Sequence, residues 1–187
     1  AATIARLCGA ADRGVVVFFS SYRYAQTISD AMEAAEPGIR VALQPRLQDL
    51  AAQTQSVEQS LALSGVMFLG LGSSFAEGID LLGGRISHAM VVGPALPEVN
   101  ARQRAWMAEL ERSPETKDRA FDQVYRVPGL QKVNQGLGRL VRAPGHQTRV
   151  LLHCQRFIDP AYATLLAKDY QFGTHIPDDE ALTDWLQ

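Results

Sequence analysis

The sequence predicts an α/β fold with a mostly parallel sheet, on three observations. Short apolar runs rich in β-branched residues alternate with longer stretches of helical periodicity. The apolar runs are nearly continuous, which is typical of strands covered by helices on both faces. Turn residues such as Pro37-Gly38 and Pro128-Gly129 separate the elements. At 187 residues, the chain suits one domain with a substantial core.

Five apolar runs are short enough, and sufficiently bounded by turn residues, to be predicted as strands. The stretches around them carry apolar residues at helical spacing, and the charged stretch from Glu98 to Val127, with Trp106, is predicted to be an excursion between strands. The predicted strands are Val15–Phe19, Ile39–Leu43, Val66–Leu71, Ala89–Gly93 and Val150–Cys154. The predicted helices are Thr3–Ala11, Tyr22–Ala35, Leu47–Leu61, Arg102–Glu111, Leu130–Val141, Ala161–Ala167 and Asp179–Leu186.

Composition limits the classes of function. The net charge of −2 gives no global attraction to nucleic acid, so any basic surface must be local, and the excess of fifteen Arg over three Lys is attributed to an Arg-rich genome. Cys8 and Cys154 are too few and too distant for a metal site or a disulfide framework, which favours a reducing cytoplasm. No apolar run reaches membrane-spanning length. The chain starts at Ala1 in a predicted helix, which favours a fragment of a longer protein.

The segment from Gln135 to Arg142 reads Gln-Gly-Leu-Gly-Arg-Leu-Val-Arg. It places Arg139 and Arg142 three residues apart, on one face of a predicted helix. Guanidinium groups grip phosphate oxygens bidentately, although two arginines can equally form a solvated helix face. The two glycines would cost a helix about 1 kcal/mol each relative to Ala, so they indicate close approach to something, such as a facing domain or a nucleotide.

A second informative segment, Gly72–Asp80, reads Gly-Ser-Ser-Phe-Ala-Glu-Gly-Ile-Asp. Its Gly-Ser-Ser start can offer backbone N–H groups to an anion, and Glu77 and Asp80 lie three residues apart. No third glycine follows Gly70 and Gly72 at the spacing of a dinucleotide-binding loop. Both segments are predicted to lie where ligands bind in parallel sheets, at the carboxyl ends of strands.

Several other patterns predict structure and not chemistry. No lysine stands in a Gly-Lys-Ser/Thr loop, so the chain has no Walker A motif and is predicted not to hydrolyse ATP alone. The acidic run Asp178–Glu180 is predicted to start a helix. The four histidines lack ligand spacing, so no metal site is predicted, and His153 is expected to pack in the core. Ser20 and Ser21 could cap a helix or contact a phosphate.

In this order, the segments resemble motifs of the second RecA-like domain of XPD/DinG-type superfamily 2 DNA helicases. Gly14–Tyr22 resembles motif IV, Phe75–Leu81 resembles motif V with its Glu-Gly-x-Asp core, and Gln135–Arg142 resembles motif VI. Val91–Pro97 is similar to the strand and turn that follow motif V. The resemblance extends from Gly14 to Tyr162. It departs where the family usually carries Asp-x-Gly, near His146, and where Cys154 replaces an Asp.

The resemblance implies that residues 1–187 form one RecA-like three-layer sandwich, the C-terminal motor domain of an ATP-dependent 5′ to 3′ DNA helicase. ATP with Mg²⁺ would lie between this domain and an N-terminal RecA-like domain of the same polypeptide. Arg139 and Arg142 would act as arginine fingers. The implied ATP contacts are Gln135, Glu77, Gly78 and Asp80, and the implied contacts to single-stranded DNA are Ser20, Ser21, Tyr22, Ser73 and Ser74.

Two other functions are considered. A stand-alone RecA-like binding or scaffold module could retain these motifs without ATPase activity. An RNA helicase is less favoured, because those enzymes commonly carry a His near the position of Gln135. The resemblance leaves open a role in DNA repair or beside a CRISPR system, and an iron–sulphur cluster would belong to the N-terminal domain.

Overall fold

A single parallel sheet forms the centre of the structure, a computed structural model that describes residues 1–46, 49–63, 65–73, 82–141 and 143–187. Within these residues, five strands pair in the order β2-β3-β1-β4-β5. All five predicted strands are confirmed, with small shifts of their ends. The strands are β1 (Gly14–Phe19), β2 (Val41–Leu43), β3 (Val66–Gly70), β4 (Ile86–Val92) and β5 (Arg149–Leu152).

The predicted helices are also present, two of them with the predicted bounds. A π-helical turn, Asp122–Arg126, leads directly into α5, and three short 3₁₀ turns lie at Lys117–Arg119, Gln155–Phe157 and Lys168–Tyr170. The helices are α1 (Ala2–Ala10), α2 (Tyr22–Ala35), α3 (Leu50–Leu63), α4 (Ala101–Arg112), α5 (Val127–Leu137), α6 (Pro160–Ala163) and α7 (Asp179–Leu186).

The sheet lies between two helical layers because consecutive side chains of β1 point to opposite faces. Phe18 belongs to a core shared with α3, α5 and the segment after β5. Phe19 belongs to a second core shared with α1, α2 and α7. Both rings are fully buried. This arrangement confirms the predicted three-layer RecA-like sandwich.

Helix α5 ends four residues earlier than the sequence predicts. The Gly138 N–H bonds to the carbonyl oxygen of Asn134, and the next two residues form tight turns, with the Leu140 N–H donating to Leu137 O at 3.1 Å. These turns bury Leu140 completely, whereas a continued helix would carry it elsewhere. The prediction that Arg139 lies on a helix face is therefore wrong. Its predicted neighbour Arg142 lies outside the described residues.

The predicted excursion between strands contains α4, none of whose side chains is buried. Trp106 on this helix is 45% exposed. His153 is also exposed, because β5 ends before it, so the prediction of a core position for His153 is wrong. Cys8 and Cys154 carry free thiols. Within the described ranges, no helix combines the length and the apolar character needed to cross a membrane.

Two glycines in helices provide a matched test of close packing. A Cβ at Gly129 in α5 would lie 3.2 Å from backbone atoms of Leu96, whereas a Cβ at Gly9 in α1 would meet nothing within 4 Å. We expect Gly129→Ala to lower the free energy of unfolding, because overpacking costs about 1–3 kcal/mol and exceeds the helix-propensity gain. Gly9→Ala should raise it by up to about 1 kcal/mol. Urea denaturation measures both, and equal effects would contradict the described packing.

His88 predicts how stability depends on pH. Its side chain is 6% exposed. Burial lowers the pKa of His88, the positive charges of Arg149 and Arg13 lower it further, and Asp12 opposes them. The unfolded chain therefore binds a proton at higher pH than the folded protein does. The stabilisation by neutral His88 is complete above the ordinary histidine pKa of about 6.5 and is lost as the pH falls below it.

We expect His88→Gln to flatten the fall in unfolding free energy between neutral and mildly acidic pH. His175→Gln is the control, because His175 is exposed. Denaturation curves across this pH range measure the effect. An unchanged slope in the His88 variant would show that another group titrates.

Candidate functional site

Three adjacent strands end at the same edge of the sheet. Phe19 at the end of β1 pairs with Gly70 at the end of β3, and β2 runs parallel to β3 on its other side. The segments that follow these strands therefore lie together, and we call them the carboxyl edge. The carboxyl edge comprises Ser20–Tyr22, Gln44–Arg46 and Leu71–Ser73.

The first segment of the carboxyl edge combines a helix cap with exposed polar groups. The Tyr24 N–H donates to the hydroxyl of Ser21 at 3.2 Å, so Ser21 is the N-cap of α2, one of the two roles considered for it. Ser20 and Ser21 are both exposed. The guanidinium of Arg46 lies 4.5 Å from the ring centroid of Tyr22 in a cation–π contact. A positive charge and an aromatic ring thus meet at the ends of β1 and β2.

Gln44 fixes the turn after β3, a role that the sequence analysis missed. The Gly70 N–H donates to its Oε1 at 2.8 Å, and the Ser73 hydroxyl lies 3.0 Å from the same atom. The Ser73 N–H donates to Gly70 O at 3.2 Å. One side chain from β2 therefore orders the start of the Gly-Ser-Ser segment. The sequence signal that could have identified Gln44 is its position directly after the predicted strand Ile39–Leu43.

Helix α5 starts at the carboxyl edge and runs back along one face of the sheet. Lys132 lies against Gly72, while Leu140, beyond the helix end, accepts a hydrogen bond from the Gly84 N–H at 3.4 Å. Gly84 precedes β4, so Arg139 lies towards the amino ends of the strands. Arg139 follows Lys132 by seven residues and lies two residues beyond the helix end at Leu137. The prediction that motif VI lies at the carboxyl ends is thus wrong for Arg139.

Gly136 lets α5 approach the sheet. A Cβ at this position would lie 3.2 Å from Leu71 Cδ2 and 3.5 Å from Phe18 Cε1. For Gly136, the close approach inferred from the glycines is therefore to the sheet of the same domain. Gln135, the residue before Gly136, is exposed, and Arg139 is half-buried.

The remaining predicted site residues lie outside the described residues, so the structure supplies no geometry for them. They are Ser74, Glu77, Gly78, Asp80 and Arg142.

The two departures from the family pattern have structural roles. A Cβ at Gly84 would lie 2.7 Å from Nε2 of His146, so this histidine ring packs directly on a glycine turn with a φ of 73°. Sγ of Cys154 lies 3.9 Å from the corresponding position of Gly93. Both residues fill space beside glycines that precede or follow β4.

Two titratable groups near the cores, Cys8 and Tyr170, have pKa values shifted by burial. Burial raises the pKa of the Cys8 thiol to about 11, so Cys8 remains a protonated thiol at neutral pH and a poor nucleophile. Burial also raises the pKa of Tyr170, which lies after α6. Within the ranges that the structure describes, no cluster of three or more His, Cys, Asp or Glu could hold a metal ion.

The fold and the order of these segments agree with comparisons to known proteins. The family model of the helicase C-terminal domain matches residues 4–171. The chain belongs to the helicase C-terminal domain family. The helicase resemblance of motifs IV to VI is thereby confirmed at the level of the domain, and the match leaves out residues 1–3 and 172–187, which include α7. No protein with a curated description matches the sequence.

Three solved structures share the fold of this helicase domain. The first is an XPD helicase, with a TM-score of 0.67 and 19% sequence identity, and the match covers 87% of this chain and 28% of that chain. The second is an XPD in the apo form, with a TM-score of 0.65 and 18% identity, and it covers 87% of this chain and 32% of that chain. The third is Xpd4 of S. tokodaii, with a TM-score of 0.60 and 14% identity, and it covers 90% of this chain and 32% of that chain. The chain thus spans about a third or less of the length of these proteins. Their similarity confirms the RecA-like fold.

Gln44 provides a test of the carboxyl edge. We expect Gln44→Leu to leave the Gly70 N–H without its acceptor, which costs about 1–3 kcal/mol of unfolding free energy for a buried donor, with the lower end suited to this half-buried site. Amide hydrogen exchange at Gly70 should accelerate. Gln44→Glu, which retains an oxygen acceptor, is the matched control. Unchanged exchange in the Leu variant would show that Gln44 does not order the turn.

Proposed function

We propose that this helicase domain is the C-terminal half of an ATP-dependent DNA motor. Its partner is an N-terminal RecA-like domain of the same polypeptide, which carries the Walker A motif that this chain lacks. ATP, as its Mg²⁺ complex, binds between the two domains. The observation that carries the proposal is α5, one rigid helix that starts at the carboxyl edge and ends beside Arg139.

The ATP side of the proposal depends on Arg139 and Arg142. As arginine fingers they neutralise the charge that develops on the γ-phosphoryl group during transfer to water. Such fingers contribute about 10³–10⁵ in rate in other nucleotide hydrolases. Gln135 is exposed one helical turn before Arg139, which suits contact with a bound nucleotide. Glu77, Gly78 and Asp80 complete the proposed nucleotide contacts.

The DNA side of the proposal is the carboxyl edge. Exposed Ser20 and Ser21 can donate hydroxyl hydrogen bonds to phosphates, while Tyr22 offers a ring for base stacking. The cation–π partner Arg46 adds positive charge there. Contacts of this kind hold a strand without reading its sequence. Ser74 extends the proposed contact surface, and Ser73 shapes the turn that carries it through its own hydrogen bonds to Gly70.

The two sides are coupled through packing. Gly136 of α5 lies against Leu71 and Phe18, the residues beside the ends of β3 and β1. A shift of α5 on ATP binding or phosphate release therefore moves the helix against the strands that hold the DNA contacts. Alternating closure and opening of two such domains would move the enzyme along single-stranded DNA, in the 5′ to 3′ direction.

Arg139→Ala in the longer protein is expected to reduce ATP turnover by about 10³-fold or more, because the developing phosphoryl charge loses its partner. Binding of a labelled oligothymidylate should change little, since Arg139 lies beyond the end of α5, on the side of the turn that precedes β4 and away from Ser20 and Tyr22. Arg112→Ala is the control, because Arg112 is exposed at the end of α4 and pairs only with Glu109 among the described residues.

The assays are steady-state ATP hydrolysis, with and without oligothymidylate, on this chain and on the longer protein. DNA-stimulated hydrolysis only in the longer protein would support the proposal. Turnover retained by Arg139→Ala would remove its finger role. Inactivity of both proteins would favour the scaffold module, and hydrolysis by this chain alone would contradict the two-domain site.

A further inference from the structure

Lys132 lies across the turn that follows β3. A Cβ at Gly72 would lie 2.8 Å from Cδ, 2.9 Å from Cε and 3.3 Å from Nζ of Lys132. Gly72 also has a φ of 73°, in the left-handed region that favours glycine. Glycine at this position therefore forms the turn and leaves room for the lysine. The ammonium group is brought to the carboxyl edge by a residue 60 positions away in the sequence.

No carboxylate among the described residues neutralises the ammonium group of Lys132. Among the residues that the structure describes, the four ion pairs involve arginines, and no carboxylate pairs with Lys132. Its side chain is half-buried. A charge that has lost part of its hydration without gaining an opposite charge is unfavourable, so this position suits an external anion.

The neighbouring hydrogen-bond donors are used within the turn. The Ser73 N–H donates to Gly70 O at 3.2 Å, and its hydroxyl lies 2.6 Å from the same oxygen. These bonds direct the donors of Ser73 into the protein. Among the described groups beside this turn, Lys132 has donors available to a ligand, and it carries the charge that a phosphate requires.

We propose that Lys132 binds a phosphate oxyanion at the carboxyl edge. The inference rests on the proposed motor function and adds a residue to its ligand contacts. Two ligands carry this chemistry, the phosphodiester of single-stranded DNA and the polyphosphate of ATP. The DNA source fits better, because Lys132 lies at the same edge as Tyr22 and Arg46, whereas Arg139 lies beyond the far end of α5.

Acetylation footprinting tests the inference directly, because the chain has three lysines. The 187-residue chain is treated with an amine-reactive acetylating reagent alone, with saturating oligothymidylate, or with MgATP, and each lysine is quantified by mass spectrometry. We expect oligothymidylate to slow acetylation of Lys132 several-fold. Lys117 and Lys168 are exposed and serve as internal controls that should react at unchanged rates.

A charge-removing variant gives a second readout. Lys132→Met should weaken oligothymidylate binding and reduce the slope of log affinity against log salt by about 0.7, the value for one phosphate contact on a single strand. Lys132→Arg should retain most of the affinity for oligothymidylate and most of the salt slope. Lys168→Met is the matched control and should bind as the unmodified chain does. Thermal unfolding confirms that each variant is folded.

The outcomes separate the alternatives. Protection of Lys132 by MgATP and not by oligothymidylate would assign the phosphate to the nucleotide. An unmodified chain that binds oligothymidylate with no protection of Lys132 and no change in the salt slope would overturn the inference and leave the motor proposal standing. A chain that binds neither ligand, together with a longer protein inactive towards ATP, would overturn both.

Discussion

The structure depends on the pairing of β1 with strands on both of its sides. β1 bonds to β3 along one edge and to β4 along the other, so five of its six residues, Val15–Phe19, are buried. Their side chains alternate between the two cores. Because a parallel strand needs a crossover connection, this central position places helices on both faces. The position of β1 also sets where Ser20 emerges, between the ends of its neighbours.

Helix α5 runs along one face of the sheet and connects the carboxyl ends of the strands with their amino ends. Gly129 packs on Leu96 near its start and Gly136 packs on Phe18 near its end, so two glycines let the helix lie close along the sheet. The burial of Leu140 then turns the chain away from the helix axis. The helix therefore ends where core packing requires it, and Arg139 lies beyond it on the turn.

The carboxyl edge also shows how a protein of net charge −2 can present a local positive surface. Arg46 and Lys132 come from different elements, yet both lie beside strand ends, one over the Tyr22 ring and one over Gly72. Only nearby charges act strongly on a bound strand at physiological salt, because the Debye length is about 8 Å. The total charge of the chain is therefore a poor guide to this surface.

The sequence by itself determined the elements and the family. Apolar runs such as Val15–Phe19 and helical spacing in Tyr22–Ala35 are local signals, and within the described residues they located the five strands and the seven α-helices. The motif order predicted the helicase domain that the family match confirms. Tertiary structure alone decided the contacts between distant residues: Gln44 on Gly70 and Lys132 on Gly72 join segments whose separation depends on strand order. It also decided the path of the chain after α5, where the turns beyond Gly138 bury Leu140.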